Sequence, residues 1–251
     1  MTTAFRYTTT WWATGATIPI WVSSLSGGDL DVLRYLAGWC PWAHCHNYSG
    51  HLEYLDLYDA NLVESDMGVR GYRKNPTSFM LSEDGEIFYV EDNVLPHHAF
   101  LRAYSLKTLI LPRTCKEVCE RALQECEGLE TLVVGDDMEK FNWNALDDDA
   151  MLTCMYLLAK EKVKISTEVG VWRWFCNNYN PTFDAFYVRP SLYEEYLYDD
   201  AYTGSSWQRT NNVSKGEFQD DESFAAFGAH AAATMDDLLM VNTSLELEDG
   251  E

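Results

Sequence analysis

The sequence predicts an α/β protein in which about four strands stack as a short solenoid between N- and C-terminal capping segments. Three observations lead to this prediction. They are a 23-residue repeat, a strand-like alternation of apolar residues within each repeat, and helical or turn-rich segments on both sides of the array. The repeat is the most informative of the three, because several positions keep their register through three consecutive units.

The repeat is clearest at residues 106–111, which follow the pattern L-x-x-Φ-x-Φ, where Φ is an aliphatic residue or methionine. The same pattern recurs at residues 129–134 and again at residues 152–157, each 23 residues further on. Three alanines keep the same spacing upstream of these segments: Ala99, Ala122 and Ala145. A period of 23 residues lies within the range of leucine-rich repeats, so the predicted fold class is a short leucine-rich-repeat solenoid.

Strand geometry predicts how the repeats pack. Successive side chains of a strand point to opposite faces, and neighbouring strands lie about 4.7–4.9 Å apart. We therefore expect Leu109, Leu132 and Met155 to lie side by side and to form one buried apolar column. By the same reasoning, Leu132→Asp should destabilise the protein severely, whereas Val133→Asp, on the opposite face, should do so only mildly.

An earlier copy of the pattern occupies residues 52–57, and its distance from the segment that starts at Leu106 is not a multiple of the period. An insertion must therefore separate the two segments. The predicted organisation is an N-terminal cap with a helix and a first repeat-like strand (1–61), an insertion that forms a hairpin (62–98), the regular repeats (99–165), a C-terminal cap (166–215) and an acidic, partly helical C-terminal segment (216–251).

Local patterns predict the elements around the repeats. Apolar spacing favours a helix from Asp29 to Ala37, with Asp29 as its N-cap and Gly38 after its end. Turn residues favour a hairpin between residues 79–81 and residues 87–90. Residues 2–22 are expected to form an edge strand or a capping strap, and residues 222–240 a helix.

The repeats resemble the BspA-like leucine-rich repeat family of bacterial surface proteins, whose unit is A-F-x-x-C-x-x-L-x-x-Φ-x-L-P. Ala99 and Phe100, followed by residues 106–111 and Pro112, match this unit, whereas the next copy has Gly135 in place of the proline. The resemblance covers residues 25–215 and implies a cell-surface or secreted location, although the chain shows no signal peptide. It implies no particular ligand, because a repeat scaffold serves many functions.

Composition excludes some partners. The chain has 251 residues, with 18 basic and 40 acidic side chains and a formal net charge of -22. This charge opposes the phosphates of nucleic acids and anionic lipid surfaces, so neither is expected as a partner. No stretch approaches the roughly 20 apolar residues of a membrane span.

The sequence predicts no cofactor, no metal site and no catalytic residue. The segment 40–46 contains Cys40, His44, Cys45 and His46, which are possible zinc ligands, but it is most simply a loop. Cys115 and Cys119 form the one other pair at matching spacing. A disulfide between Cys40 and Cys45 is slightly favoured over a metal if the protein is exported. The pair His97 and His98 is expected to form a turn, because no nucleophile pattern accompanies it.

The predicted binding residues lie on the outward face of the repeats. They are Tyr54, Asp56, Thr108, Ile110, Thr131, Val133 and Tyr156. An aromatic cluster near the C-terminal cap is a second, weaker candidate: Trp172, Trp174 and Tyr179. The alternative for the outward face is that the insertion or an end segment packs over it. For the aromatic cluster, the alternative is packing within the cap.

These expectations favour a non-catalytic binding protein, at the surface of a bacterial cell or outside it, that recognises a protein or a glycan. Two other functions remain open. One is a hydrolase that uses a pair of carboxylates. The other is an intracellular, cytoplasmic protein-interaction module, which unpaired cysteines and the missing leader would suit.

Overall fold

The computed structural model describes residues 5–9, 17–20, 23–39, 52–68, 87–146, 151–166, 185–199 and 212–230. In chain order, the strands are β1 (Phe5–Thr9), β2 (Thr17–Ile20), β3 (Ser24–Leu25), β4 (Leu52–Asp56), β5 (Asn61–Leu62), β6 (Ser65–Gly68), β7 (Ile87–Val90), β8 (Val94–Leu95), β9 (Thr108–Ile110), β10 (Glu117–Val118), β11 (Thr131–Val134), β12 (Lys140–Asn142), β13 (Cys154–Leu157), β14 (Lys164–Ser166), β15 (Ala185–Val188) and β16 (Asn212–Ser214). The helices are α1 (Gly27–Leu36), α2 (Tyr193–Leu197) and α3 (Asp221–His230), and two 3-10 turns span Trp143–Leu146 and Pro190–Leu192.

The larger sheet has eight strands in the order β16-β15-β13-β11-β9-β4-β1-β2. Its strands from β4 to β16 form a run of six parallel strands, and the hairpin of β1 and β2 adds two antiparallel strands beside β4. A second sheet consists of four parallel strands in the order β14-β12-β10-β8. Two strand pairs, β3 with β5 and β6 with β7, complete the pairing in the described residues.

The predicted fold class, a short leucine-rich-repeat solenoid of about four stacked strands, is therefore wrong. The structure is a mixed α/β fold with two parallel sheets, one containing six parallel strands and the other four, together with an antiparallel hairpin. The prediction failed because it assigned one strand to each period. Each period contains a second, shorter strand, and further strands join the larger sheet at both of its ends.

The register within the larger sheet agrees with the period. Leu132 of β11 pairs with Leu109 of β9 on one side and with Met155 of β13 on the other, so the predicted column is confirmed. These three side chains are at most 1% exposed. Leu55 of β4 and Phe186 of β15 extend the column in the same register. The column forms the centre of the main hydrophobic core.

The second sheet closes the opposite side of this core. Its inward residues are Leu95, Val118, Phe141 and Ile165, which occupy one register position in β8, β10, β12 and β14. The first three are buried and Ile165 packs against the same core. Because β8 and β10 have only two residues each, the alternation that they leave in the sequence is too short to identify a strand.

Helix α1 begins two residues earlier than predicted. Its N-cap is Ser26, not Asp29: the Ser26 hydroxyl accepts a hydrogen bond from the Asp29 amide, and the Asp29 carboxylate accepts one from the Ser26 amide. This reciprocal pair is a capping box, which satisfies two amides that a helix start leaves without partners. Gly38 follows the helix with φ of +91°, a conformation that glycine adopts readily, as predicted for its end.

The other local predictions have mixed outcomes. Residues 87–90 form β7 and pair with β6, residues 65–68, whereas the predicted partner, 79–81, lies outside the described residues. The edge-strand prediction is confirmed, because β1 and β2 form one edge of the larger sheet. Helix α3 ends at His230, where the described residues end, so the rest of the predicted helix 222–240 lies outside them.

Within the described parts of the chain, no helix has both the length and the apolarity to cross a bilayer.

Close contact between successive turns explains the glycine at position 135. A Cβ atom placed on Gly135 would overlap the Pro112 carbonyl oxygen and would lie 2.7 Å from the Arg113 Cα. Both are backbone atoms of the preceding turn, so a side chain cannot be accommodated by a rotamer change. Gly135 therefore allows the turns that follow β9 and β11 to stack at the spacing of the strands.

We predict that Gly135→Ala lowers the free energy of unfolding by about 1–3 kcal/mol, because the added methyl group pushes two backbone turns apart. Gly28→Ala is the matched control, since its Cβ would lie 3.7 Å from the Ser26 hydroxyl oxygen, in ordinary contact, within helix α1. Urea unfolding of both variants measures the difference. Equal stabilities would contradict the close stacking of the two turns.

Candidate binding face

The outward side chains of the larger sheet form two rows that cross its parallel strands. The first row runs from Tyr54 through Thr108 and Thr131 to Cys154. The second row consists of Asp56, Ile110, Val133, Tyr156 and Tyr187. The structure thus brings all seven of the predicted outward residues onto one face, which we call the outer face.

Part of the outer face is buried, so three of the predicted binding residues are not accessible. Tyr54 is 7% exposed, Ile110 is fully buried and Val133 is 2% exposed. Together with Leu158 and Phe224 they form a second hydrophobic cluster, separate from the main core. The expected mildness of Val133→Asp is wrong, because that carboxylate would enter this cluster.

The C-terminal segment 215–226 provides the residues that bury the face, and we call it the cover segment. Phe224 of helix α3 is fully buried, and Phe218 packs partly buried against the same cluster. The two rings contact edge to face, with centroids 5.1 Å apart and planes at 84°. Of the alternatives that the sequence left open, packing of an end segment over the rows is the one observed.

Polar contacts hold the first turn of α3 against residues 189–191, which directly follow β15. The Ser191 amide and hydroxyl both donate to the Asp221 carboxylate, at 2.9 and 2.5 Å. The buried Arg189 guanidinium donates to the Asp221 carbonyl oxygen through Nη1 at 3.3 Å. Its Nε donates to the carbonyl oxygens of Leu158 and Ala159. Arg189 thereby connects the end of β13 with the start of α3.

Asp136 links Arg189 to the other end of the outer face. It accepts a hydrogen bond from Arg189 Nη2 at 3.1 Å and one from the Tyr58 hydroxyl at 2.7 Å. Burial, together with the Asp136 carboxylate, raises the pKa of Tyr58 well above its usual value, so Tyr58 stays a donor at neutral pH. Because Tyr58 also packs against the apolar cluster, this network borders the covered part of the face.

The rest of the outer face is half-exposed. In the first row, the half-exposed residues Thr108, Thr131 and Cys154 lie side by side. In the second row, Tyr156 and Tyr187 are half-exposed neighbours. The two tyrosine rings stack with centroids 4.8 Å apart and planes at 12°. The half-exposed area therefore offers hydroxyls, one thiol and two stacked tyrosine rings.

Several predicted candidates lie outside the described residues. These are the aromatic cluster of Trp172, Trp174 and Tyr179, the segment 40–46 with its cysteines and histidines, and residues 231–251 of the acidic C-terminal segment. In the described part of the chain, no group of three or more His, Cys, Asp or Glu residues is arranged to hold a metal ion.

The cysteines described by the structure are thiols rather than disulfides: Cys115, Cys119, Cys126 and Cys154. Burial raises the pKa of Cys115 to about 12 and that of Cys119 to about 11. Both are therefore protonated at neutral pH and are poor nucleophiles. Cys126 is fully buried, and its thiol donates to the Phe100 carbonyl oxygen at 3.0 Å. These two observations identify Cys115 and Cys126 as packing residues.

His98 lies in the predicted turn, in a left-handed backbone conformation with φ of +60°. Its carbonyl oxygen accepts a hydrogen bond from Arg34 Nη1 at 2.8 Å, which ties the turn to helix α1. Burial lowers the pKa of the His98 imidazole to about 4, and the positive charges of His97, Arg121, Arg34 and Arg102 add to this shift. His98 is therefore neutral at physiological pH.

Sequence reasoning missed three residues that shape the outer face: Tyr187, Arg189 and Asp136. The interval from Tyr156 to its partner Tyr187 is longer than one period, so the repeat does not identify Tyr187. The sequence places Phe224 on an apolar helix face but does not indicate what that face packs against. The sequence did contain a signal: the C-terminal helix has an apolar stripe and the outward row is also apolar. Each of these surfaces needs a partner, so they could be expected to cover one another.

No known family model matches the chain, and no curated protein matches it either.

We predict that the protein loses about 2 kcal/mol of stability as the pH falls from 6.5 to 4, because of His98. The pKa of His98 is lowered by folding, so in this window the unfolded chain binds a proton that the folded chain does not. His98→Asn removes the titrating group and keeps a residue that tolerates left-handed backbone. Urea unfolding at a series of pH values should give a shallower loss for the variant. Identical pH profiles would contradict the burial of His98 as a neutral group.

Proposed function

We propose that this protein is a non-catalytic binding protein and that its recognition surface is the half-exposed part of the outer face of the larger sheet. The observation that carries the proposal is the alignment of outward side chains in two continuous rows across parallel strands. Such rows present a fixed array of contacts whose spacing is set by the backbone. Preorganised surfaces of this kind lower the entropic cost of binding.

The chemistry of the rows supports binding rather than catalysis. Apart from Asp56, the predicted row residues are threonine, isoleucine, valine and tyrosine, none of which transfers protons readily near neutral pH. Asp56 accepts a hydrogen bond from the Tyr58 amide at 2.9 Å, within the turn that follows β4. The rows thus contribute contact area and hydroxyl groups.

Between the two predicted ligand classes, the ring geometry favours a protein over a glycan. Sugars bind aromatic residues by lying on the ring face, and Tyr156 and Tyr187 use one face each to stack on one another. What they offer outward in this arrangement suits apolar and polar side chains of a protein surface. The net charge of -22 further favours a partner surface that is neutral or basic.

The proposed location at the surface of, or outside, a bacterial cell rests on the resemblance to BspA-like surface proteins alone. A specific observation favours the second candidate, an intracellular interaction module: the cysteines in the described residues are thiols rather than disulfides. Thiols persist in reducing compartments, whereas disulfides predominate outside the cell. Both candidates use the outer face for recognition, so the binding experiment applies to both.

The test is a screen of the full chain on an array of glycans and synthetic peptides, repeated with two variants. Thr131→Arg places a long charged side chain in the centre of the half-exposed row. Thr114→Arg makes the same change at a half-exposed position of the turn after β9, outside the two rows. We predict that ligands found by the screen bind Thr131→Arg with an affinity lowered by about tenfold or more. Their affinity for Thr114→Arg should equal that for the unchanged chain. An array without ligands, or ligands that bind Thr131→Arg as well as the unchanged chain, would overturn the proposal.

A further inference from the structure

A third row of residues runs beside the first row of the outer face, and we call it the entry row. Its members directly precede the first-row residues in the sequence: Glu53, Lys107, Glu130 and Thr153. The amides of the last three each donate to the carbonyl oxygen of the preceding member, at 2.7–2.8 Å. Glu53 and Thr153 are half-exposed, and Lys107 and Glu130 are exposed. The entry row therefore forms an accessible border of the half-exposed part of the face.

Elsewhere in the repeats, charged side chains in neighbouring turns neutralise one another. Four ion pairs join residues that are separated by one period: Arg102–Glu125, Lys116–Glu139, Glu117–Lys140 and Asp137–Lys160. In the entry row itself, the Lys107 ammonium binds the Glu53 carboxylate of the preceding turn at 2.9 Å. A carboxylate of the repeats is thus commonly matched by a cation in an adjacent turn.

Glu130 departs from this pattern. The residue one period before it, Lys107, is bound to Glu53, and the residue one period after it is Thr153, which carries no charge. The Thr153 hydroxyl donates to the main-chain carbonyl oxygen of Glu130 at 2.8 Å and not to its carboxylate. Among the described residues, Glu130 has no ion-pair partner. An exposed carboxylate without a matched cation therefore lies at the border of the proposed recognition surface.

The guanidinium group of an arginine fits this border best. Its planar fork of N–H groups donates two hydrogen bonds to one carboxylate, which a lysine ammonium does not do in the same geometry. The half-exposed Thr131 hydroxyl, next to Glu130 in the chain, supplies a further acceptor. The stacked rings of Tyr156 and Tyr187 offer contact area to apolar residues that accompany the arginine. The net charge of -22 attracts a basic segment to the same surface.

We propose that the half-exposed part of the outer face binds a segment of a partner protein that carries an arginine among apolar residues, and that Glu130 binds the arginine. This inference rests on the proposed function, because it names the partner chemistry for the same surface. It requires no movement of the cover segment, since Glu130 is exposed and Thr131 is half-exposed while Phe224 stays buried.

The test measures the binding of synthetic peptides to the full chain. The peptides have arginine, glutamine or glutamate at one central position, and their other residues vary among leucine, valine, phenylalanine and serine. Fluorescence anisotropy at constant ionic strength gives the affinities. We expect the arginine peptides that bind most tightly to exceed their glutamine counterparts by about tenfold in affinity, because a charged hydrogen-bonded pair is lost in the exchange.

Two substitutions of Glu130 and one matched control assign this preference to its carboxylate. Glu130→Gln should reduce the preference for arginine to about twofold or less, and Glu130→Lys should reverse it in favour of the glutamate peptides. Glu127→Gln is the control, because Glu127 is exposed in the same turn before β11 but belongs to none of the three rows. It should keep the full preference. Urea unfolding verifies that each variant is folded, as expected for changes at exposed positions.

Equal affinity of the unchanged chain for arginine and glutamine peptides, or a preference that Glu130→Gln retains in full, would overturn the inference. Failure to bind any of the peptides would overturn it as well. The proposed function fails by a different result, since it is judged by the effect of Thr131→Arg on array ligands. Ligands that Thr131→Arg weakens but that show no preference for arginine would leave the proposed function standing and would remove only the role of Glu130.

Discussion

The structure depends on parallel backbone pairing between segments one period apart. Because β9, β11 and β13 pair without a shift in register, every residue position is repeated at the spacing of neighbouring strands. Inward positions then form the apolar column of Leu109, Leu132 and Met155, and outward positions form the rows of the outer face. The same regularity brings successive turns so close that Gly135 cannot carry a side chain. Core, face and turns are thus consequences of one geometric constraint.

The part of the fold that could be predicted is the part in which the period is regular. The spacing of the repeat identifies which residues pair, and the alternation within each segment identifies which of them point inward. The period did not reveal the fold class. The second parallel sheet contains β8 and β10, which are too short to leave a recognisable pattern in the sequence. Beyond β13 the period is lost, because the intervals from Cys154 to its partner Ala185 and from Ala185 to Asn212 both exceed it. The extension of the sheet to six parallel strands was therefore not predictable from spacing.

The candidate site illustrates the same division between local and tertiary information. That Ile110, Val133 and Tyr156 share one face follows from strand geometry and was predicted. That Ile110 and Val133 are buried does not follow, since it depends on Phe224, which lies about half the chain length after β9 in the sequence. A sequence pattern shows that an apolar row needs a partner, but it does not identify which segment supplies it. The network of Arg189, Asp136 and Tyr58 is likewise a product of folding, because its members come from different turns.

Occupation of the face by the chain's own segment changes how a binding function would operate. The residues around Thr131 are half-exposed and are accessible to a ligand, whereas Val133 and Ile110 are covered by Phe224. The proposed binding function therefore concerns the half-exposed part of the face.

The most direct measurement of the central claim, that outward residues one period apart lie side by side, is a single-substitution cross-link. Thr131 pairs with Cys154, and the Thr131 hydroxyl oxygen lies 3.7 Å from the Cys154 sulfur, so Thr131→Cys places two thiols within reach of a disulfide. Thr108→Cys is the control, because Thr108 lies two strands from Cys154. After mild oxidation, peptide mass spectrometry should detect the bond between positions 131 and 154 in the first variant and no bond to Cys154 in the second. Absence of the bond in Thr131→Cys, or equal cross-linking in both variants, would contradict the register on which the outer face depends.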